Sequence, residues 1–101
     1  MYYDLMRIIL PELGCNLDYA LANPRKADVV RARQLAWATM FVRYGMLYTE
    51  IGHASGHHRT TVIHGVKLVL SQRASSDDGR LFDWLLTVDV ESPHGDDLEE
   101  S

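Results

Sequence analysis

Apolar residues along this chain recur at intervals of three and four, and no stretch alternates convincingly with a period of two. The pattern predicts an all-α protein. In "LMRIIL" and the residues after it, Leu5, Ile8, Ile9 and Leu13 share one helical face, Asp4 is positioned to cap it, and Pro11 is expected to kink or end it. "NLDYALA" reads as a brief helix capped by Asn16, and the basic "NPRKAD" is a loop because Asn-Pro is a strong break. Asp28 then caps a long helix, Val29 to Tyr44, with Val30, Leu35, Trp37, Ala38, Phe41 and Val42 as its apolar face and Gly45 at its end.

A short helix follows from about Thr49 to Ser55, started by Thr49 or Tyr48 and stopped by Gly56 in a left-handed conformation. From Arg59 onward Val62, Ile63, Val66, Val69 and Leu70 form one buried stripe, opposite Thr60, Thr61, His64 and Lys67. "SQRASSDDG" reads as a linker, and Asp77 or Asp78 caps a last helix through "RLFDWLLTV". The expected fold is a compact bundle of about five to six helices containing a helix-turn-helix, over residues 1–88. Residues 89–101 are expected to form an acidic disordered tail.

Composition agrees with a folded core: 47% of residues are apolar and 24% charged. No apolar run approaches the roughly 18 residues that cross a bilayer. The start carries Asp4 and lacks a basic leader, so a cytoplasmic protein without membrane contact is expected. Cys15 is the sole cysteine, which leaves no internal disulfide and no cysteine-based zinc site.

Charge changes the picture more. The whole chain carries −4, but residues 25–73 hold Arg25, Lys26, Arg31, Arg33, Arg43, Arg59, Lys67 and Arg73 against Asp28 and Glu50, a local balance of +6. Residues 1–24 carry −2, and residues 74–101, with nine acids against Arg80, carry −8. A basic middle beside an acidic end is the usual footprint of an anion-binding surface.

The stretch "IGHASGHHRTTVIHG" holds four of the five histidines. A metal reading would use Glu50, His53 and His57, but Gly56 breaks the helix between the two histidines, and no metal or other cofactor is expected. Ser55 in "GHASG" fails the spacing of a hydrolase elbow, and no enzyme is expected. His64 reads as structural, and Trp37, Phe41 and Trp84 as core. What remains is a short helix, a tight turn and a second helix with a basic, hydroxyl-rich start. Its N-terminal amides, with Arg59, Thr60 and Thr61, would favour phosphate and base edges.

At these residues the chain resembles the C-terminal DNA-binding domain of the bacterial replication initiator DnaA, whose fold is related to Trp repressor. That family's signature runs Ile-Gly-x-x-Phe-Gly-Gly-Arg-Asp-His-Thr-Thr-Val-x-His-Ala. Here stand Ile51, Gly52, Gly56, His57, His58, Arg59, Thr60, Thr61, Val62 and His64, and upstream "RARQLA" resembles the family's Ala-Arg-Pro-Arg-Gln stretch. The likeness covers about residues 3–88. It implies double-stranded DNA as partner, with replication-initiation proteins as further partners, and a role in replication initiation or its regulation. By position, Arg25 would enter the minor groove, Arg33 and Gln34 would hold phosphate, and Tyr48 and Thr49 would touch the backbone at the short helix. Thr60 and Thr61 would hold backbone and a thymine methyl. Lys26, His57 and Lys67 complete the expected DNA-binding set.

The chain departs from the family in three places. His58 and Arg59 replace the base-reading Asp-His pair, the turn is one residue shorter, and Pro11 interrupts a helix that is normally continuous. No glycine precedes a lysine, so there is no nucleotide-binding phosphate loop. The acidic tail argues for a free-standing relative over an excised domain. The alternative class is a protein-interaction module that keeps the fold but has lost DNA affinity, for which the overall acidity and the altered pair speak.

The charge segregation carries a prediction of its own. If the basic centre binds duplex, the acidic end competes with it, so a chain ending at Val90 should bind duplex more tightly than the full chain. The gain should be larger at low salt than at high salt because the competition is Coulombic. Equal low-salt affinity of the two chains in a fluorescence titration would refute the competition.

Overall fold

The structure, a computed structural model, describes residues 1–72 and 77–90. Six helices follow in order: α1 (Tyr2–Glu12), α2 (Leu17–Ala22), α3 (Ala27–Val42), α4 (Tyr48–Ser55), α5 (Arg59–Gln72) and α6 (Asp77–Leu85). No strand occurs among the described residues. The all-α bundle is as the periodicity predicts. No helix among the described residues is long and apolar enough to cross a membrane. The expected tail falls largely on residues 91–101, outside the described residues.

Helix α3 is the centre, with α1, α4, α5 and α6 all packed on it. Its buried residues are Val29, Ala32, Leu35, Ala36, Trp37, Ala38, Thr39 and Met40. Of the wide apolar face expected for it, Leu35, Trp37 and Ala38 are buried. Val30 and Phe41 are only half-buried and Val42 is exposed, while the alanines lie inside, where their small side chains let neighbouring helices come close. The buried Thr39 hydroxyl is satisfied, donating to the Leu35 carbonyl at 2.8 Å.

Around this axis the other helices bury one face each. α1 buries Tyr2, Leu5, Met6, Ile9 and Leu10, and α5 buries Val62, Gly65, Val66 and Val69. Pro11 lies in the last turn of α1, which ends one residue later at Glu12, in keeping with the expected helix end at this proline. Asp4 and Asp28 sit in the first turns of α1 and α3 rather than at their caps, since α1 starts three residues and α3 two residues earlier than expected. Asn16 caps α2 as expected, its Oδ1 accepting from the Tyr19 amide at 2.8 Å. Ser71 and Gln72 extend α5 and Asp77 to Gly79 begin α6, so only residues 73–76 of the expected linker lie outside the described residues. Trp84, expected in the core, is 41% exposed on α6, whose buried face is Gly79, Phe82 and Leu85.

Two arginines of the basic centre hold the frame together. Arg31 grips Asp78 at the start of α6 through both Nε (3.0 Å) and Nη2 (2.5 Å) and reaches Asp28 at 3.1 Å. These carboxylates, Asp78 first, raise its already high pKa. Arg43 donates to the carbonyls of Leu85 and Val88, capping the C-terminal end of α6.

Gly56 ends α4 with φ +72, and a Cβ there would meet no atom within 4 Å. Substitution should therefore cost backbone strain alone. Gly56→Ala is expected to destabilise by about 1–2 kcal/mol, and Gly56→Asn by less, since asparagine tolerates this region. Chemical denaturation of both variants checks the order; equal stability of Gly56→Ala and the parent would show that the turn adopts another conformation.

Candidate nucleic-acid interface

Helices α4 and α5 are joined by the turn Gly56, His57, His58. Local hydrogen bonds fix both ends of α4. Glu50 fixes the start of α4 by accepting from the Leu47 amide at 2.8 Å. At the other end the His57 amide donates back to the Gly52 carbonyl at 2.9 Å. A Cβ on Gly52 would lie 2.5 Å from the His57 carbonyl oxygen, so only glycine lets the turn fold this close to α4.

The N-terminus of α5 is partly capped from within. His58 Nδ1 accepts from the Thr60 amide at 3.1 Å, and the His58 carbonyl accepts from Val62. As an acceptor, Nδ1 carries no proton, which leaves the Nε2 edge of the exposed ring for an external partner. His58 is expected at base contact, with the first amides of α5 free. The structure adds a capping duty that uses one of those amides. Arg59, Thr60 and Thr61 are exposed around it.

Beside this end lies a cleft of about 350 Å³ between α3 and α5, lined by Val30, Arg33, Gln34, Trp37, Thr60, Thr61, His64 and Gly65. It joins Arg33 and Gln34 to Thr60 and Thr61, residues almost thirty positions apart in sequence. Arg33 also lines a second, smaller cleft of about 140 Å³ whose walls include Tyr2, Tyr3, Leu21, Pro24, Ser55 and His57. Its Nη2 donates to the Pro24 carbonyl at 3.3 Å, which ties the Arg25 and Lys26 loop to the same edge. Arg33 forms no ion pair among the described residues. Its guanidinium stands 5.8 Å from the centre of the Trp37 ring.

Not every expected residue joins this cluster. Tyr48 is half-buried and stacked on Phe41, centroids 4.5 Å apart, eight residues along α3 from Arg33 or about 12 Å of helix. Thr49, beside it, is exposed at the far end of the pair. Lys67 is exposed on α5, two turns beyond Thr60 on the same side. His57 is turned inward, edge-on to Trp37 with ring centres 5.2 Å apart. Two residues outside the expected set, Trp37 and Ser55, do most to shape the site: Trp37 Nε1 donates to Ser55 Oγ at 3.0 Å. The only sequence sign of this was a glycine, Gly65, in mid-helix where an apolar residue would otherwise pack. His64, read as structural, lines the larger cleft. Among the described residues no three His, Cys, Asp or Glu side chains gather as metal ligands would.

Comparison with models of known families, with curated proteins and with solved structures finds no match to this chain.

Burial, and then the positive charge of Arg33, depress the pKa of His57 below its ordinary value near 6.5. Burial likewise pushes the Tyr2 hydroxyl up to about 12, with Arg33 opposing the rise. Between the native His57 midpoint and 6.5 the unfolded chain binds more protons than the folded one. This group therefore lowers stability as pH falls through that window. In an NMR titration Arg33→Ala should raise the His57 midpoint only part of the way, because burial remains. An unchanged midpoint would show that the guanidinium does not act on the ring.

Proposed function

We propose that this chain is a sequence-preferring double-stranded DNA binder of the helix-turn-helix kind, acting as initiator-box recognition does in replication initiation or its regulation. One observation carries the reading. Arg33, a half-buried cation with no carboxylate partner among the described residues, shares a cleft with Gln34, Thr60 and Thr61 at the start of α5. Arg31, two residues earlier and so about 200° around the helix, is neutralised by Asp28 and Asp78. The side of α3 that faces α5 keeps its charge; the other side does not. A phosphate at the cleft would meet a guanidinium, an amide and two hydroxyls beside a helix N-terminus, all groups that bind it well.

In this reading α5 enters the major groove, and the first half of α3 with the start of α4 rests on the backbone. Arg59 is the base reader: its fork of donors matches the O6 and N7 acceptors of guanine, where the resembled family presents an aspartate to cytosine. Arg25, on the loop held by Arg33, would sit in the narrow minor groove of A·T-rich steps. A second reading, the protein-interaction module, draws on the −4 net charge and on the engagement of Arg31 and Arg43 inside the fold.

The two readings separate in a salt series on random duplex, because counterion release gives every duplex binder a negative slope. Arg33→Ala should weaken binding to all sequences about equally and reduce that slope by ~1. Arg59→Ala should lose affinity mainly on the sites selected from a random pool, by roughly 1–3 kcal/mol against guanine-substituted controls. Salt-independent or undetectable duplex binding by the full chain decides for the interaction module, and equal losses on both sites remove the guanine assignment.

A further inference from the structure

The indole of Trp37 touches all the parts of the candidate interface at once. Its Nε1 donates to Ser55 Oγ at 3.0 Å, and that hydroxyl donates in turn to the Ile51 carbonyl at 2.8 Å, in the last turn of α4. Its ring makes a T-shaped contact with that of His57 in the turn, centres 5.2 Å apart. Its outer ring lies against Gly65 in the middle of α5, so close that a Cβ there would stand 2.8 Å from Cε3 and 2.9 Å from Cζ3. On the remaining side the Arg33 guanidinium lies 5.8 Å from the ring centre. The side chain is 2% exposed and is the largest of the fully buried set.

We infer that Trp37 is a positioning residue: it fixes the end of α4, the turn and α5 at one spacing from α3, so that Arg33 and the start of α5 meet the same stretch of backbone. Core filling alone requires neither the indole N–H nor a hydroxyl at residue 55. Aliphatic side chains fill volume equally well, and a buried indole without a partner would carry an unsatisfied donor. The glycine at 65 is equally specific. Glycine in mid-helix is less favourable than alanine, and here it yields contact between the α5 backbone and the indole. Trp37, Ser55 and Gly65 therefore act as one unit, and their effects should not add. The purpose of the unit rests on the duplex-binding reading; its existence does not.

The test keeps the full chain and compares Ser55→Ala, Trp37→Phe and the double variant. Ser55→Ala removes one oxygen and should fold even where Trp37→Phe does not. Native-state hydrogen exchange should rise about five-fold at the His57, Thr60 and Val62 amides in Ser55→Ala, the size of one net hydrogen bond, with the α3 core amides unchanged. The double variant should be no worse than Trp37→Phe. Gly65→Ala should loosen the same amides, and adding Trp37→Phe, whose shorter ring vacates the space, should restore them to the Trp37→Phe level. Affinity for random duplex should fall about as much as exchange rises. Unchanged turn amides in Ser55→Ala, or fully additive effects in either pair, overturn the positioning role. Coupled turn amides in a chain that shows no salt-dependent duplex binding support the unit and overturn the duplex-binding reading instead.

Discussion

From Leu35 to Met40 six consecutive residues of α3 are buried, which leaves the middle of that helix without a solvent side. A helix can sit this way only if its neighbours surround it and its own polar groups are satisfied internally. The main chain meets that condition by its intrahelical bonds, and Thr39 meets it by bonding back to Leu35. Alanine at 32, 36 and 38 keeps the helix thin, and Trp37 is the largest buried side chain projecting from its centre. That indole donates to a hydroxyl at the end of α4 and lies against a glycine in α5.

The same helix sorts the cations. Its positively charged residues lie close together in sequence, but a rise of 100° per residue sends Arg31 and Arg33 to nearly opposite sides. Arg31 meets the acidic start of α6 and becomes a strut. Arg33 meets a carbonyl, an aromatic face and two open clefts, and no described carboxylate. Arg43, ten residues after Arg33, caps α6. A count of charges along the chain overstates the basic surface, because two of its arginines are used within the fold.

The turn between α4 and α5 is built from groups that also bear on the surface. His58 caps α5 through one ring nitrogen and presents the other. His57 gives its ring to Trp37 and its amide to Gly52. Four of the five histidines fall between Ile51 and Gly65, but they are not placed alike: His53 and His64 are exposed, His57 is half-buried, and His58 is exposed and capping. That division explains why the cluster resembles a metal site in sequence and not in space.

Helix number, the cap at Asn16, the left-handed stop at Gly56 and the start of α5 at Arg59 were legible in the sequence, because each depends on interactions within about four residues. So was the position of Thr60 and Thr61 at an exposed helix start. The sequence did not reveal that α3 is buried on several sides, that Trp84 faces solvent or that Arg31 is neutralised, since these depend on residues up to 47 positions away. The Trp37, Ser55 and Gly65 unit was hidden for the same reason. A tryptophan, a serine and a glycine carry no joint signal along a chain, and become one device only when packing sets an indole against a backbone that has no side chain to move aside.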